Sequence, residues 1–489
     1  MVVNISSNRY DLSFLIILTI LCLVFGILLG LLDDVIVFDE INTFALLSVV
    51  MFIITTCYAC ISDKHFSLVF PFMLVAFPTS FDNIIPGVYL ENAQLEVVYP
   101  LFCHPELFLL IILATRIKRI KDWETDRVPF VLMISFLFSS IANLCCHFES
   151  QYMLLLIAGL YPVRLLILIV LTVRNVELDF DKILHGICLT IFFLALESLI
   201  FTKMRGLDVL TSGSLGNNTF GNVMGQLTCV LIFYLIVRKG HCNKRRLFLS
   251  SIIVGLVCTL GTGTRMALMA VLMILLFVVA PKLSRKVKFF LFLVVVAVSL
   301  YIIKNNVLSN LTGKFDIDAA SSAIDYSESS GLNVGYSEAT TSLMTRLNLW
   351  EVSMNMFLDK PLTGIGWNLF NVLKYHYGFD IDVIIDPHNG YLSFLSQLGV
   401  WSFFWIYFLF YRSWKIFRCS DDMKLKILAL FNMGMTICEL TNAGSYKYNV
   451  LPLLLFVSVY INYHYKLEQG GNLIQSRCYC MKNNPINDY

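Results

Sequence analysis

Fourteen apolar runs, each as long as a bilayer-crossing helix or a few residues short of one, divide this 489-residue chain into short polar connectors. A helix needs about 20 apolar residues to cross the hydrocarbon layer, and within lipid every backbone amide must be satisfied inside the crossing segment. With 57% of residues hydrophobic and only 14% charged, too few polar residues remain to coat a soluble core. The expected fold class is therefore all-α, a polytopic helical membrane protein of about 12–14 transmembrane helices with one long outer loop. The first run, Leu12 to Leu32, is too long for a signal-peptide core and no small-residue cleavage site follows it, so it is expected to be retained. The runs Phe66 to Phe81 and Val97 to Ala114 are either two spans or one re-entrant pair, because the second contains Pro100, His104, Pro105 and Glu106.

Sidedness follows from the connectors. Arg116, Lys118, Arg119 and Lys121 share one side with Arg238, Lys239 and Lys244 to Arg246, with Lys282, Arg285, Lys286 and Lys288, and with Arg412, Lys415 and Arg418. The positive-inside rule makes that side cytoplasmic and puts both termini there. The opposite connectors are almost bare of Lys and Arg, and the cysteines avoid the two longer ones, so no disulfide framework is expected. Four regions follow: residues 1–303 as transmembrane helices 1–11, 304–389 as a large and partly helical outer loop, 390–465 as helices 12–14, and 466–489 as a polar, disordered cytoplasmic tail. A net charge of +2 carries no sign of nucleic-acid binding.

Within the outer loop, Asp316 to Thr341 is rich in Ser, Gly and acids, whereas Leu343 to Leu358 repeats apolar residues at helical spacing and Leu362 to Trp367 reads as a tight glycine turn. The stretch Ile384 to Leu392 then turns back into the membrane. Asp386 and Pro387 are expected to serve as N-cap and first-turn proline, with His388 and Asn389 in the opening turn. Polar residues Asn389, Ser393, Ser396 and Gln397 line one face of the helix that follows, so that face meets protein or water and not lipid. A helix N-terminus favours a bound anion and a neutral imidazole, which suits His388 to act as a base.

Arginines on the outer side run against the topology rule, which makes them candidates for binding an anion. Arg265 follows the Gly261-Thr-Gly-Thr264 turn, Arg346 begins Arg-Leu-Asn-Leu-Trp350, and Arg205 precedes a Gly/Asn-rich segment, Gly213 to Asn222. Guanidinium forks match phosphate oxygens, so these three can form a diphosphate clamp. The pairs Asp316/Asp318 and Asp380/Asp382 have the look of metal ligands, but such pairs are common in solvated loops, and no metal and no cofactor is expected. Arg164 and Glu197, inside spans, should pair or line a polar cavity, since an unpartnered charge there costs roughly 2.5 to 3.5 kcal/mol.

Thr262-Gly-Thr-Arg-Met-Ala267, Arg346-x-x-x-Trp350, Pro361-Leu-Thr-Gly-Ile-Gly366, Pro387-His-Asn-Gly-Tyr-Leu392 and Gln397-Leu-Gly399, in this order and with the long loop before the histidine, resemble the O-antigen polymerase and O-antigen ligase superfamily of bacterial inner membranes. The resemblance covers about Arg205 to Trp401 and departs at Asn217-Asn-Thr219, where relatives often have Asn-Pro-Asn. It implies a metal-independent glycosyltransferase acting on undecaprenyl-diphosphate-linked oligosaccharide at the outer face of the inner membrane. His388, Arg265 and Arg346 would be the catalytic residues, and Arg205, Asn389 and Trp350 would bind substrate. A flippase and a chain-length regulator of the same pathway are implied partners beside the lipid bilayer. Polymerase is the favoured activity, ligase the close alternative, and a lipid-linked oligosaccharide flippase using Arg164 and Glu197 the alternative of another class.

Overall fold

The computed structural model describes residues 43–77, 87–92, 95–100, 103–116, 127–146, 159–207, 209–212, 217–237, 245–262, 338–379, 389–438 and 451–483, with the single positions Ile20, Thr264, Val271 and Pro387. Arg265 and His388 lie outside these residues, as do both Asp-x-Asp pairs, Glu439 and the expected span Phe289 to Ile303.

The fold is an all-α membrane architecture with one small hairpin among the described residues. Helices α1 (Thr43–Ile61) and α2 (Asp63–Pro71, running on as a π-turn over Phe72–Ala76) lead to antiparallel strands β1 (Gly87–Asn92) and β2 (Leu95–Pro100). Next come α3 (His104–Thr115), α4 (Arg127–Cys146), α5 (Tyr161–Asn175), α6 (Phe180–Met204), α7 (Asn217–Val237) and α8 (Arg245–Gly261). The loop contributes α9 (Glu338–Asp359) and the short α10 (Phe370–Leu373). The chain returns through α11 (Gly390–Leu398), α12 (Ser402–Ile406) and α13 (Arg412–Cys419), then α14 (Met423–Cys438) and α15 (Leu451–Asn483). Phe180–Met204, Thr219–Ile236 and Gly390–Cys419 are long and apolar enough to cross a membrane, and Leu47–Ile61, His104–Thr115 and Pro129–Asn143 are shorter apolar helices.

Two expectations about elements change. The run Val97 to Ala114 is not one helix, because its first four residues belong to β2, which pairs with β1 from Gly87 opposite Pro100 to Asn92 opposite Leu95. Glu106 starts α3 by accepting the Cys103 amide at 2.9 Å, with Pro105 in the first turn. The 12 residues of α3 rise only about 18 Å, too little to cross alone. At the other end of the chain, α15 continues through the tail expected to be disordered and stops only at Asn483.

One apolar cluster runs through the bundle, and its buried charges are matched. Arg164 Nε meets Glu106 Oε1 at 2.8 Å, with Glu106 only 2% exposed, and Arg116 Nε meets Asp63 Oδ1 at 2.7 Å. Glu197, fully buried, accepts a 2.7 Å hydrogen bond from Ser212 Oγ. The two span charges are thus tied into the packing, as the cost of an unpaired charge in lipid demands. A second, separate core forms inside the loop: Leu349, Val352 and Met356 of α9 pack on Ile365, Leu369, Phe370, Leu373 and Phe379.

Candidate functional site

Among the described residues, the loop core is fastened to the bundle at a seam rich in backbone contacts. Ile365 N donates to Ser396 O at 2.9 Å, Gly366 N to Gln397 O at 3.1 Å, and Val400 N to Pro361 O at 2.8 Å. Gly364 and Gly399 both have φ +63°, and a Cβ on either would overlap the facing backbone, Gln397 C and O for Gly364 and Pro361 O for Gly399. Only glycine allows both the left-handed conformation and the approach. From α4, Ser139 Oγ donates to Thr363 O at 2.5 Å and Asn143 Nδ2 to Gly364 O at 3.2 Å. Gln397 joins the layers: its Oε1 accepts the Asn368 amide at 2.8 Å, and its Nε2 donates to Ser393 Oγ at 3.1 Å. The polar stripe expected on this helix is therefore buried in protein, with Ser393, Ser396 and Gln397 all inside.

The seam presents the turn between Pro387 and Asn389. Trp350 Nε1 on α9 donates to Pro387 O at 2.8 Å, which couples the loop helix to the residue before His388. Arg346 stands one turn earlier on α9, on the same side as Trp350 by the i, i+4 rule, and is half-buried. The helix start differs from the sequence expectation. Asn389, not Asp386, is the N-cap: its backbone is extended (φ −148°, ψ 109°) and its Oδ1 accepts from Tyr391 N at 3.0 Å and Leu392 N at 3.1 Å. Pro387 and position 388 therefore precede α11, and the Trp350 bond accounts for it, since it holds the Pro387 carbonyl to another helix. Behind the turn, Tyr391 OH donates to Thr436 O of α14 at 2.7 Å.

A second group of candidates assembles around the ends of α6, α7 and α8. Arg205 caps α6, half-buried, its guanidinium 5.8 Å from the Phe201 ring centroid. Leu210 N donates to Gly261 O at 2.9 Å, and a Cβ on Gly221 would stand 2.7 and 2.8 Å from the hydroxyls of Thr262 and Thr264. The segment after Arg205, the start of α7 and the Gly-Thr turn that leads to Arg265 are consequently neighbours. The Gly/Asn-rich segment Gly213 to Asn222 is helical from Asn217 onward. Gln226 Nε2 of α7 lies 3.7 Å from Cys438 Sγ, two residues past Thr436, so both groups meet the same end of α14. Among the described residues no group of His, Cys, Asp and Glu is arranged to hold a metal ion.

Sequence reasoning missed Ser139, Asn143, Tyr391 and Thr436, whose partners lie up to hundreds of positions away. Only Gln397 carried a signal, through its place in the polar stripe. In the loop, burial, then the hydrogen bond from Tyr377 OH to Asp359 Oδ2 at 2.7 Å, pushes the Tyr377 phenol up to about 12.

A helical membrane protein whose folded loop is clamped over the end of its bundle, with arginine, tryptophan and a capped helix start converging there, has the makings of an enzyme acting at the membrane surface. Residues 247–407 match the family model described as O-antigen ligase, which supports a likeness to the O-antigen polymerase and ligase superfamily. That range runs from α8 through the Gly-Thr turn, the loop core and the seam into α12. No curated protein matches the chain. Members of the family are glycosyltransferase-like enzymes of surface-polysaccharide assembly that act on lipid-linked polysaccharide.

Proposed function

We propose that this chain is an O-antigen polymerase of the bacterial inner membrane, joining undecaprenyl-diphosphate-linked repeat units on the outer side with both termini in the cytoplasm. The observation that carries the reading is the 2.8 Å bond from Trp350 to Pro387, which holds the Arg346-bearing helix against the turn that contains His388. In the proposed reaction an acceptor sugar hydroxyl loses its proton to His388 as its oxygen bonds to the donor's anomeric carbon. The bond from that carbon to the diphosphate oxygen breaks, and the lipid diphosphate leaves. Arg265 and Arg346 stabilise the growing negative charge, while Arg205, Asn389 and Trp350 bind substrate. The N-terminus of α11 adds positive potential beside the turn and favours the neutral imidazole a base requires. The step needs no metal and no cofactor, and a flippase supplying the donor and a chain-length regulator are the proposed partners.

Deletion of the gene should leave lipopolysaccharide with core plus one repeat and no long ladder. The matched family's description favours one second reading, the ligase, whose acceptor is the lipid A core. For a ligase the deletion would leave bare core while lipid-linked polymer accumulates, and an unchanged ladder would exclude both. The pairing of Arg164 with Glu106 and of Glu197 with Ser212 gives a flippase path through those charges no support.

A further inference from the structure

The corner where α9 ends carries two exposed leucines, Leu358 and Leu362, on either side of exposed Asp359 and half-buried Lys360. Leu358 and Leu362 are each 66% exposed, more than Leu347 (44%) and Met354 (39%) higher on α9, while Leu349, Val352, Met356 and Phe370 are buried in the loop core. The bond from Val400 N to Pro361 O fixes this corner beside the break that separates α11 from α12. Immediately below the break, Phe403 is 59% and Phe404 45% exposed, followed one and two turns on by exposed Tyr407 and Tyr411.

The depth of that row can be worked out from helix length. Gly390–Cys419 has 30 residues, about ten more than one crossing of the hydrocarbon layer needs, and the break at Gly399–Trp401 divides it. Exposed Lys415 and Arg418 mark the far end, where basic side chains reach for the headgroups, while Arg412 donates to Asn462 Oδ1 at 2.7 Å. Counting about 20 residues back from Arg418 brings the opposite hydrocarbon edge to Gly399–Trp401, the break itself. Trp401, stacked on Phe404 with ring centroids 5.8 Å apart, sits where interfacial aromatic residues are expected. All of α11 then stands above the hydrocarbon, and the Leu358–Leu362 corner lies level with its edge. Asp359 accepts from Tyr377 on the loop side, and exposed Asn355 lies one turn above Leu358, about 60° around the helix.

We propose that Leu358 and Leu362, with Val400, Phe403 and Phe404, form a membrane foot: the loop inserts this corner into the acyl chains of the leaflet at which α11 rises from the bilayer. Its ligand is the lipid surface. The foot continues the lipid-facing row of α12 and gives two exposed leucines an apolar surrounding. It also holds the Pro387–Asn389 turn about one α11 length, roughly 14 Å, above the hydrocarbon edge.

The test uses the full chain in phospholipid vesicles, with p-benzoylphenylalanine placed in separate proteins at Leu362, Leu358, Asn355 and Leu347, irradiated and analysed by mass spectrometry. Phospholipid adducts are expected at Leu362 and Leu358, several-fold fewer at Leu347, higher on α9, and background levels at Asn355. Adducts at Leu358 and Leu362 to another segment of this chain or to a second copy would overturn the proposal. So would the absence of any adduct there, or equal lipid labelling at Asn355. The readout does not depend on catalysis, so its outcome is separate from the fate of the polymerase reading.

Discussion

The bundle and the loop unit are held together by different kinds of contact. Across the bundle, helices satisfy their own backbones and meet through side chains, as where Asn432 Nδ2 donates to Leu409 O, Ser413 Oγ and Ser458 Oγ at 3.0, 3.0 and 2.6 Å. At the seam between loop and α11, backbone meets backbone through glycines with positive φ. Helices in lipid have few spare backbone groups to offer a neighbour, Leu409 O being one, so side-chain packing largely joins them and tolerates repacking. A backbone seam forms only where the chain is irregular and shielded, and it tolerates almost nothing. Among the described residues, the least tolerant contacts therefore lie at the seam between residues 361–366 and 396–400 rather than in mid-membrane.

The most damaging change should therefore be Gly364→Ala, which adds the left-handed strain of about 1–2 kcal/mol to an overlap with the Gln397 backbone. We expect polymer to disappear and limited proteolysis to cut within α9. Gly378→Ala is the control: it has φ +88° but nothing within 4 Å of the added carbon, so only the strain remains and polymer should persist. If the two variants behaved alike, the seam would be no tighter than the bundle.

His388→Ala comes next, with a roughly 10²- to 10⁴-fold loss of turnover, the scale of a missing general base, and binding of the lipid-linked donor nearly intact. Arg265→Ala should weaken both turnover and binding, and Arg265→Lys should restore them only in part, since lysine keeps the charge and loses the fork. Wild-type polymer from His388→Ala at matched protein level would rule out the base.

Trp350→Phe should have the smallest effect, because the ring stays and only the bond to Pro387 O is lost, worth about 0.5–1.5 kcal/mol. A several-fold to tenfold fall in kcat with KM unchanged is expected from a displaced turn. A rise in KM alone would leave Trp350 its substrate-binding role but no part in positioning the Pro387 carbonyl, and would weaken the contrast between seam and bundle.

Much of the architecture is legible in the sequence, for physical reasons. Apolar runs near 20 residues leave the chain few choices but helices, the spacing of Leu349, Val352 and Met356 announces α9, and the glycines of Leu362 to Trp367 announce the turn. The sequence expectation for the start of α11 falls three residues early because Asp386-Pro387 and Asn389 are both acceptable helix starts locally. Which one caps depends on Trp350, 37 positions away. The hairpin was missed for a related reason: an apolar run interrupted by prolines reads alike as a broken span or a strand.

The sequence by itself determined that this chain spans a membrane with helices, that Arg346, Trp350 and Asn389 are notable, and that the polar stripe ending at Gln397 must face away from lipid. Those properties are local, set by periodicity, hydropathy and charge within a few turns. Only the tertiary structure decided that Trp350 grips Pro387, that Glu106 answers Arg164, and that Gly364 and Gly399 press backbone to backbone. Each of those pairings joins residues 35 to 58 positions apart, and a contact between distant segments is chosen by the packing of the whole chain, which no window of neighbouring residues contains.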